Sequence, residues 1–307
     1  MKKYAFLLLL ATACNSGETI TKTEIEEPAS TVIEYTPAPG QFINSPTAGF
    51  DTQAITTAAD AVAYAERRLA MGGDPDPDSP TADYGFVSLG GWGGYLVVGF
   101  DTPVASTGGY DLYVTGNSFN GSSEPGIVWV AQDANGDGSP AGETWYELKG
   151  SEYGNGKTIF NYEVTYTEQA DGSIAWTDNQ TPAGSGTIDR IGAHAQASYA
   201  PAWVKTRTYT GTRLPDNVRY DEATNRYVMT AFAWGYADNS SKIDGIGSKN
   251  RFKISDAVDK DGHPANLTQI DFMKVQTGVN CKAENNVGEI STEVCGIGCY
   301  RIVTKTE

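Results

Sequence analysis

Beyond residue 84 the apolar positions fall into short runs, among them YGFVSL, GYLVVGF, GIVWVAQ, IFNYEVTYT and IDFMKVQTGV. β-Branched and aromatic residues dominate them, and clusters of Gly, Asn, Asp and Pro part them at intervals of roughly ten to fifteen residues, the mark of strands joined by turns. One stretch has a helical character. Thr52–Met71 contains AITTAADAVAYAERRLAM, rich in helix formers, with Arg67 and Arg68 in its last turn and Gly72–Gly73 as a stop. Its apolar stripe (Ile55, Ala59, Val62, Leu69) is modest, which predicts packing against a sheet. No helices alternate with the strands, so the pattern predicts an all-β chain, an antiparallel β-sandwich or jelly roll with one N-terminal helix at about 52–71. No fixed-period repeat suggests a propeller. No linker interrupts the strands, and residues 31–307 read as a single domain.

The first residues have a different pattern. In MKKYAFLLLLATAC, two lysines precede an apolar run and then small residues, the arrangement of an export signal. Cys14 directly after them resembles a bacterial lipobox, with Ala11 where Leu is more usual. Residues 1–13 are therefore expected to be a lipoprotein signal peptide and Cys14 the lipidated residue. Residues 14–30 are expected to be the lipidated Cys and a flexible acidic tether. The apolar run is short of the roughly 20 residues of a spanning helix.

Charge narrows the choice of partner. Lys and Arg total 22 against 38 Asp and Glu, a net charge of −16. A duplex binder needs the opposite balance, which excludes nucleic acid. GNGKT (154–158) misses the P-loop spacing, and the Gly-rich SLGGWGGYLVVGFD (88–101) leads into a strand rather than a helix, so no nucleotide site is expected.

The best local motif is DANGDG. Asp133, Asn135 and Asp137 place oxygen side chains at alternate positions before Gly138, the opening half of a calcium loop. An EF-hand would have Glu at the twelfth position, where Thr144 stands with Glu143 one residue early, and the flanks read as strands. A Ca2+-stapled inter-strand loop using Asp133, Asn135, Asp137 and Glu143 is expected. Of the tryptophans, Trp129 alternates with apolar neighbours and reads as core. Trp92, Trp176 and Trp203 are candidate ligand contacts, as are Tyr236, Asp238 and Asn239 of FAWGYADNS, a loop that binds a ligand or merely turns the chain. Catalytic sets are poorly supported. His194 and His263 are the only imidazoles, and neither G-x-S-x-G nor paired-His spacing occurs. Sequence does not select a carboxylate pair for glycoside hydrolysis from so many acids. With Cys14 assigned to lipid, two of Cys281, Cys295 and Cys299 are expected to pair in an exported chain. Cys281 with Cys295 or Cys299 would close a loop worth about 3 kcal/mol, and CGIGC offers a local bridge instead.

EYTPAPGQFIN (34–44), VSLGGWGGYLVVGFDTPV (87–104), GYDLYVTGNSFNGSSEPGIVWVAQDANGDG (109–138), ETWYELKGSE (143–152), GTRLPDN (211–217), GYADN (235–239), IDFMKVQTGVN and GEISTEV occur in this order over nearly all of 31–294. Together they resemble a family of secreted bacterial cell-surface lipoproteins of Bacteroidetes type, often joined to a PKD-like module, with some members near vitamin B12 uptake genes. The resemblance implies a jelly-roll surface module and, in some members, corrinoid binding. This chain lacks the PKD-like module and the acidic run after the lipidated Cys. The resulting expectation is a non-enzymatic, calcium-stabilised β-sandwich, lipid-anchored at the outer membrane and displayed on the cell surface, which binds a glycan or a small molecule such as a corrinoid. A carboxylate-dependent glycan hydrolase and a structural or adhesive surface protein are the alternatives.

Overall fold

The alternating strands assemble into two six-stranded sheets that face each other, as the sequence pattern predicts. A computed structural model describes residues 10–13, 19–50, 55–73, 85–194, 196–283 and 288–306. One sheet, here called the terminal sheet, runs Leu10–Ala13, Thr19–Pro28, Gly296–Thr306, Leu112–Thr115, Lys249–Phe252, Gly245–Ile246. The other, the central sheet, runs Ala257–Val258, Tyr146–Leu148, Gly126–Ala131, Gln269–Thr277, Tyr95–Ala105, Thr31–Thr36. The described pairings are antiparallel. Leu112, Val114, Phe252, Ile297 and Cys299 of the terminal sheet meet Leu96, Val98, Val128, Val130, Met273 and Val275 of the central sheet in one buried cluster. This is an antiparallel β-sandwich.

The helix α1 spans Ala58–Ala70, starting later than the composition suggests. Thr57 caps it: its side chain accepts the Asp60 N–H, while Asp60 Oδ2 accepts from the amides of Thr56 and Thr57. Threonine and aspartate satisfy the free amides of the first turn better than they extend a helix, so they set the boundary. Its fully buried residues are Ala61, Tyr64, Ala65 and Arg68, with Ile55, Val62 and Leu69 of the expected stripe packed half-buried against the same core, and Tyr64 stacks on Tyr35 of the edge strand Thr31–Thr36 at 5.8 Å.

Two expectations for the chain ends and cysteines are corrected. Residues 1–9 and Cys14 lie outside the described residues. Thr19–Pro28, assigned to the tether, is instead a strand registered along Gly296–Thr306 from Ile20↔Thr306 to Pro28↔Gly298. Its threonines and isoleucines suit a strand, and its successive Glu26 and Glu27, both half-buried, meet Lys249 and Arg301. Cys281, Cys295 and Cys299 are free thiols, so the expected disulfide is absent. They sit in three separate apolar clusters. CGIGC runs into an extended strand, where four residues span about 13 Å, far beyond disulfide reach.

A third, four-stranded sheet (Ser185–Ile188, Ile174–Asp178, Ile159–Glu168, Thr208–Arg213) leans on the outer face of the central sheet. This side sheet has its own core of Trp92, Tyr162, Val164, Tyr166, Ile174 and Tyr209. One hollow forms where it meets the central sheet, and a second where it meets residues 279–282 and 289–290.

Candidate functional site

The first hollow follows from the two-residue period of a strand. In Gln269–Thr277, Met273 and Val275 point into the sandwich, so Lys274 and Gln276 stand on the opposite face. Likewise Val128 and Val130 point inward and Trp129 outward. Gln276 ties the side sheet down, its Nε2 donating to Gly93 O at 2.9 Å and Thr210 O at 3.0 Å. Gly211 permits this approach, because a Cβ there would lie 2.5 Å from Gln276 Oε1. Next to this seam, Thr212 Oγ1 donates to Glu147 Oε2 at 2.6 Å. Beyond it the sheets part, leaving a cleft of about 490 Å³ whose aromatic lining is Trp129, Trp145, Tyr153 and Phe160. That volume is within the range of small-molecule sites, roughly 300–1,000 Å³.

The polar groups of this cleft are unusual for a sheet surface. Lys274 Nζ lies 4.9 Å from the Trp129 ring centre, 4.8 Å from Trp145 and 5.8 Å from Tyr95. Burial brings its pKa down to about 8, and Glu34 opposes that shift. Glu147 is 6% exposed, and burial pushes its carboxyl up to about 7 against the opposing hydrogen bond from Thr212. Glu163 and Asp259 stand on the walls. Phe160, 42% exposed, packs on Tyr153 with ring centres 5.0 Å apart. Flat apolar faces beside carboxylates and an ammonium can hold a hydroxylated ring by its face and its edge together.

The second hollow, about 410 Å³, lies at the other face of the side sheet and brings two of the expected contacts, Trp92 and Trp176, together with Tyr166, Arg213, Asn280 and Glu289. Trp176 is half-buried and rests on Gly186, where a Cβ would lie 2.6 Å from its ring. Trp92 is only 1% exposed and meets Tyr162 edge-on at 4.7 Å, so it is wall more than contact. Burial pushes Glu289 up to about 8 despite the bond its Oε1 accepts from the Gln41 amide.

The other expected contacts are placed in the interior. Trp203 is 6% exposed, donates from Nε1 to Tyr35 O at 3.2 Å and packs with Phe50. Enclosing such a ring contributes on the order of 4–6 kcal/mol, which outweighs the loop-like look of its Pro-containing segment. Tyr236 is buried and its hydroxyl accepts the Glu152 amide. Asp238, in the left-handed region at φ 50°, accepts the amides of Asn117, Ser118 and Glu293. Asn239 bonds both backbone groups of Phe232. FAWGYADNS thus braces the chain from inside. Beside it lies a group that sequence reasoning missed: Glu124, Asp238 and Glu293, all raised by burial, Glu124 and Glu293 also by the charge of their neighbours, with Asn117 Nδ2 donating to Glu293.

The acidic loop folds around its first residue. Asp133 Oδ1 accepts the amides of Gly136 and Asp137, Oδ2 that of Gly138, and Asn135 Oδ1 that of Asp137. Glu143 Oε1 accepts the Asn135 amide at 3.3 Å. Among the described residues, the His, Cys, Asp and Glu atoms that gather within 4.8 Å of one another belong to a different turn, Asp259, Asp261 and His263. His194 is elsewhere, half-buried on Phe42 at 4.8 Å with its pKa lowered by burial.

No protein-family model matches this chain, and no curated protein matches it.

Proposed function

We propose that this chain is a non-enzymatic binding module that holds a glycan in the cleft of Trp129, Trp145, Tyr153 and Phe160. The observation that carries this reading is the gathering of four aromatic side chains with Glu147, Glu163 and Lys274 in a hollow of about 490 Å³. Sugar rings present apolar faces and hydroxylated edges, and this cleft offers partners for both. The export signal and lipobox pattern, with the resemblance to surface lipoproteins, support display from an outer-membrane lipid anchor. Two hollows on one side sheet also favour a binding role over a purely adhesive one.

The test is titration calorimetry of the folded chain against panels of neutral and acidic oligosaccharides and against cobalamin. Binding of an oligosaccharide that Trp145→Ala weakens supports the reading. Silence across the glycans overturns it, and cobalamin binding alone would replace the glycan with a corrinoid. A hydrolase is the second reading, favoured by Glu147, Glu163 and Asp259 sharing that cleft. Chromatography of each bound oligosaccharide after prolonged incubation separates the two, since only a hydrolase yields shorter products.

Calcium in the loop of Asp133, Asn135, Asp137 and Glu143 belongs to the same proposal. The donors are hard oxygens, and the bond from Gly138 N–H to Asp133 already draws the loop into a tight curl. The ion would be structural, fixing the connection between the strand Gly126–Ala131 and the strand Tyr146–Leu148.

A further inference from the structure

The position of Lys274 narrows the ligand further. It stands mid-strand in Gln269–Thr277, opposite Trp129 on the neighbouring strand. With 38 acids to 22 bases in the chain, lysines and arginines readily find carboxylates, as Lys249 does with Glu26, Lys282 with Asp189 and Arg301 with Glu27. Lys274 differs. Among the described residues no acceptor lies within hydrogen-bond distance of its Nζ, and its contacts are the rings of Trp129, Trp145 and Tyr95. The nearby Glu34 is engaged otherwise: its Oε1 accepts from Tyr95 Oη at 2.6 Å and Thr36 Oγ1 at 2.8 Å.

An ammonium taken partly out of water without an acceptor is costly, and contact with ring faces offsets only part of that cost. A methionine would fill the same space without it. The group is therefore suited to an acceptor that arrives with the ligand. The cleft walls limit what that acceptor can be. Glu163 and Asp259 would repel a ligand charged all round, such as a polyphosphate or a heavily sulfated chain. They would accept hydroxyl hydrogens from a ring that carries one charge at one edge.

We propose that the cleft recognises a uronic acid residue of an oligosaccharide, its carboxylate on Lys274 and its ring against Trp129 and Trp145. This rests on the glycan-binding reading and names the sugar class.

The experiment uses matched probes with one carboxylate each: neutral oligosaccharides that end in galacturonic, glucuronic or mannuronic acid, each as the free acid and as the methyl ester, titrated into the folded chain. At least one free acid is expected to bind about tenfold or more tighter than its ester, the range of one charge-assisted hydrogen bond. Lys274→Met should bring acid and ester to within about twofold of each other, and Lys274→Arg should keep part of the preference. A thermal melt of each variant checks folding, and Lys274→Gln removes the charge in the same way if Lys274→Met does not fold. Equal binding of acid and ester, or an acid preference that survives Lys274→Met, overturns the proposal. If neutral oligosaccharides bind and no free acid does, this inference falls and the glycan reading stands. If no glycan of either kind binds, both fall.

Discussion

Glu147 is a carboxyl held on the cleft floor at a cost to folding, and replacing it exposes that cost. Its Oε2 accepts from Thr212 at 2.6 Å, a bond that the amide oxygen of Glu147→Gln can keep, so the substitution removes the titration and little else. Burial raises the carboxyl from its ordinary 4.5 to about 7. Below the ordinary value, folded and unfolded chains are both protonated and nothing is lost. As pH rises the unfolded chain releases its proton first, so stability falls through this window and levels off above the folded value. Between about pH 5 and about pH 8 the loss is about 2.5 kcal/mol for this one group. Glu147→Gln should therefore lie close to the parent near pH 5 and gain on it by about that amount by pH 8, roughly 4 °C in melting temperature. Urea melts of both chains at the two pH values read the difference as a change in midpoint at constant slope. A parent and variant with the same pH dependence would refute the reasoning, because the carboxyl would then be solvated and ordinary.

Three further outcomes are expected. Thr57→Ala removes the cap of α1 and should cost about 1 kcal/mol in a denaturant melt, and an unchanged midpoint would contradict the capping box. Burial pushes Cys281 and Cys295 up to about 12 and Cys299 to about 11, so all three should resist a thiol reagent in the folded chain and react after unfolding; a disulfide-linked peptide in a non-reducing digest would contradict this. Chelator should lower the melting temperature if the loop at Asp133 holds calcium, and an identical melt with excess calcium or chelator would remove the ion from the account.

The layered β architecture was legible because strand periodicity is local: Met273 and Val275 alternate with Lys274 and Gln276 in plain view. The cleft was not, because its other wall is the side sheet, whose lining residues, Phe160 to Thr212, lie about 60 to 115 positions before Lys274 in sequence. Trp129 is the instructive case. Its apolar neighbours suggested core, yet Val128 and Val130 are inward and the same period puts Trp129 on the far face, so the signal that would have found it was present. Trp203 and FAWGYADNS misled in the opposite direction, since proline, Asp and Asn suggest surface until their hydrogen bonds are seen turned inward. The charged strand Thr19–Pro28 looked like a tether because glutamates dominate its composition, while its pairing partner lies at the other end of the chain.

The central claim is that the aromatic cleft, and not the hollow at Trp176, holds the ligand. Titration of the tightest-binding oligosaccharide into Trp145→Ala and Trp176→Ala tests it directly. The account predicts about tenfold or greater weakening for Trp145→Ala and parental affinity for Trp176→Ala. Loss of binding in Trp176→Ala with Trp145→Ala unaffected would contradict it.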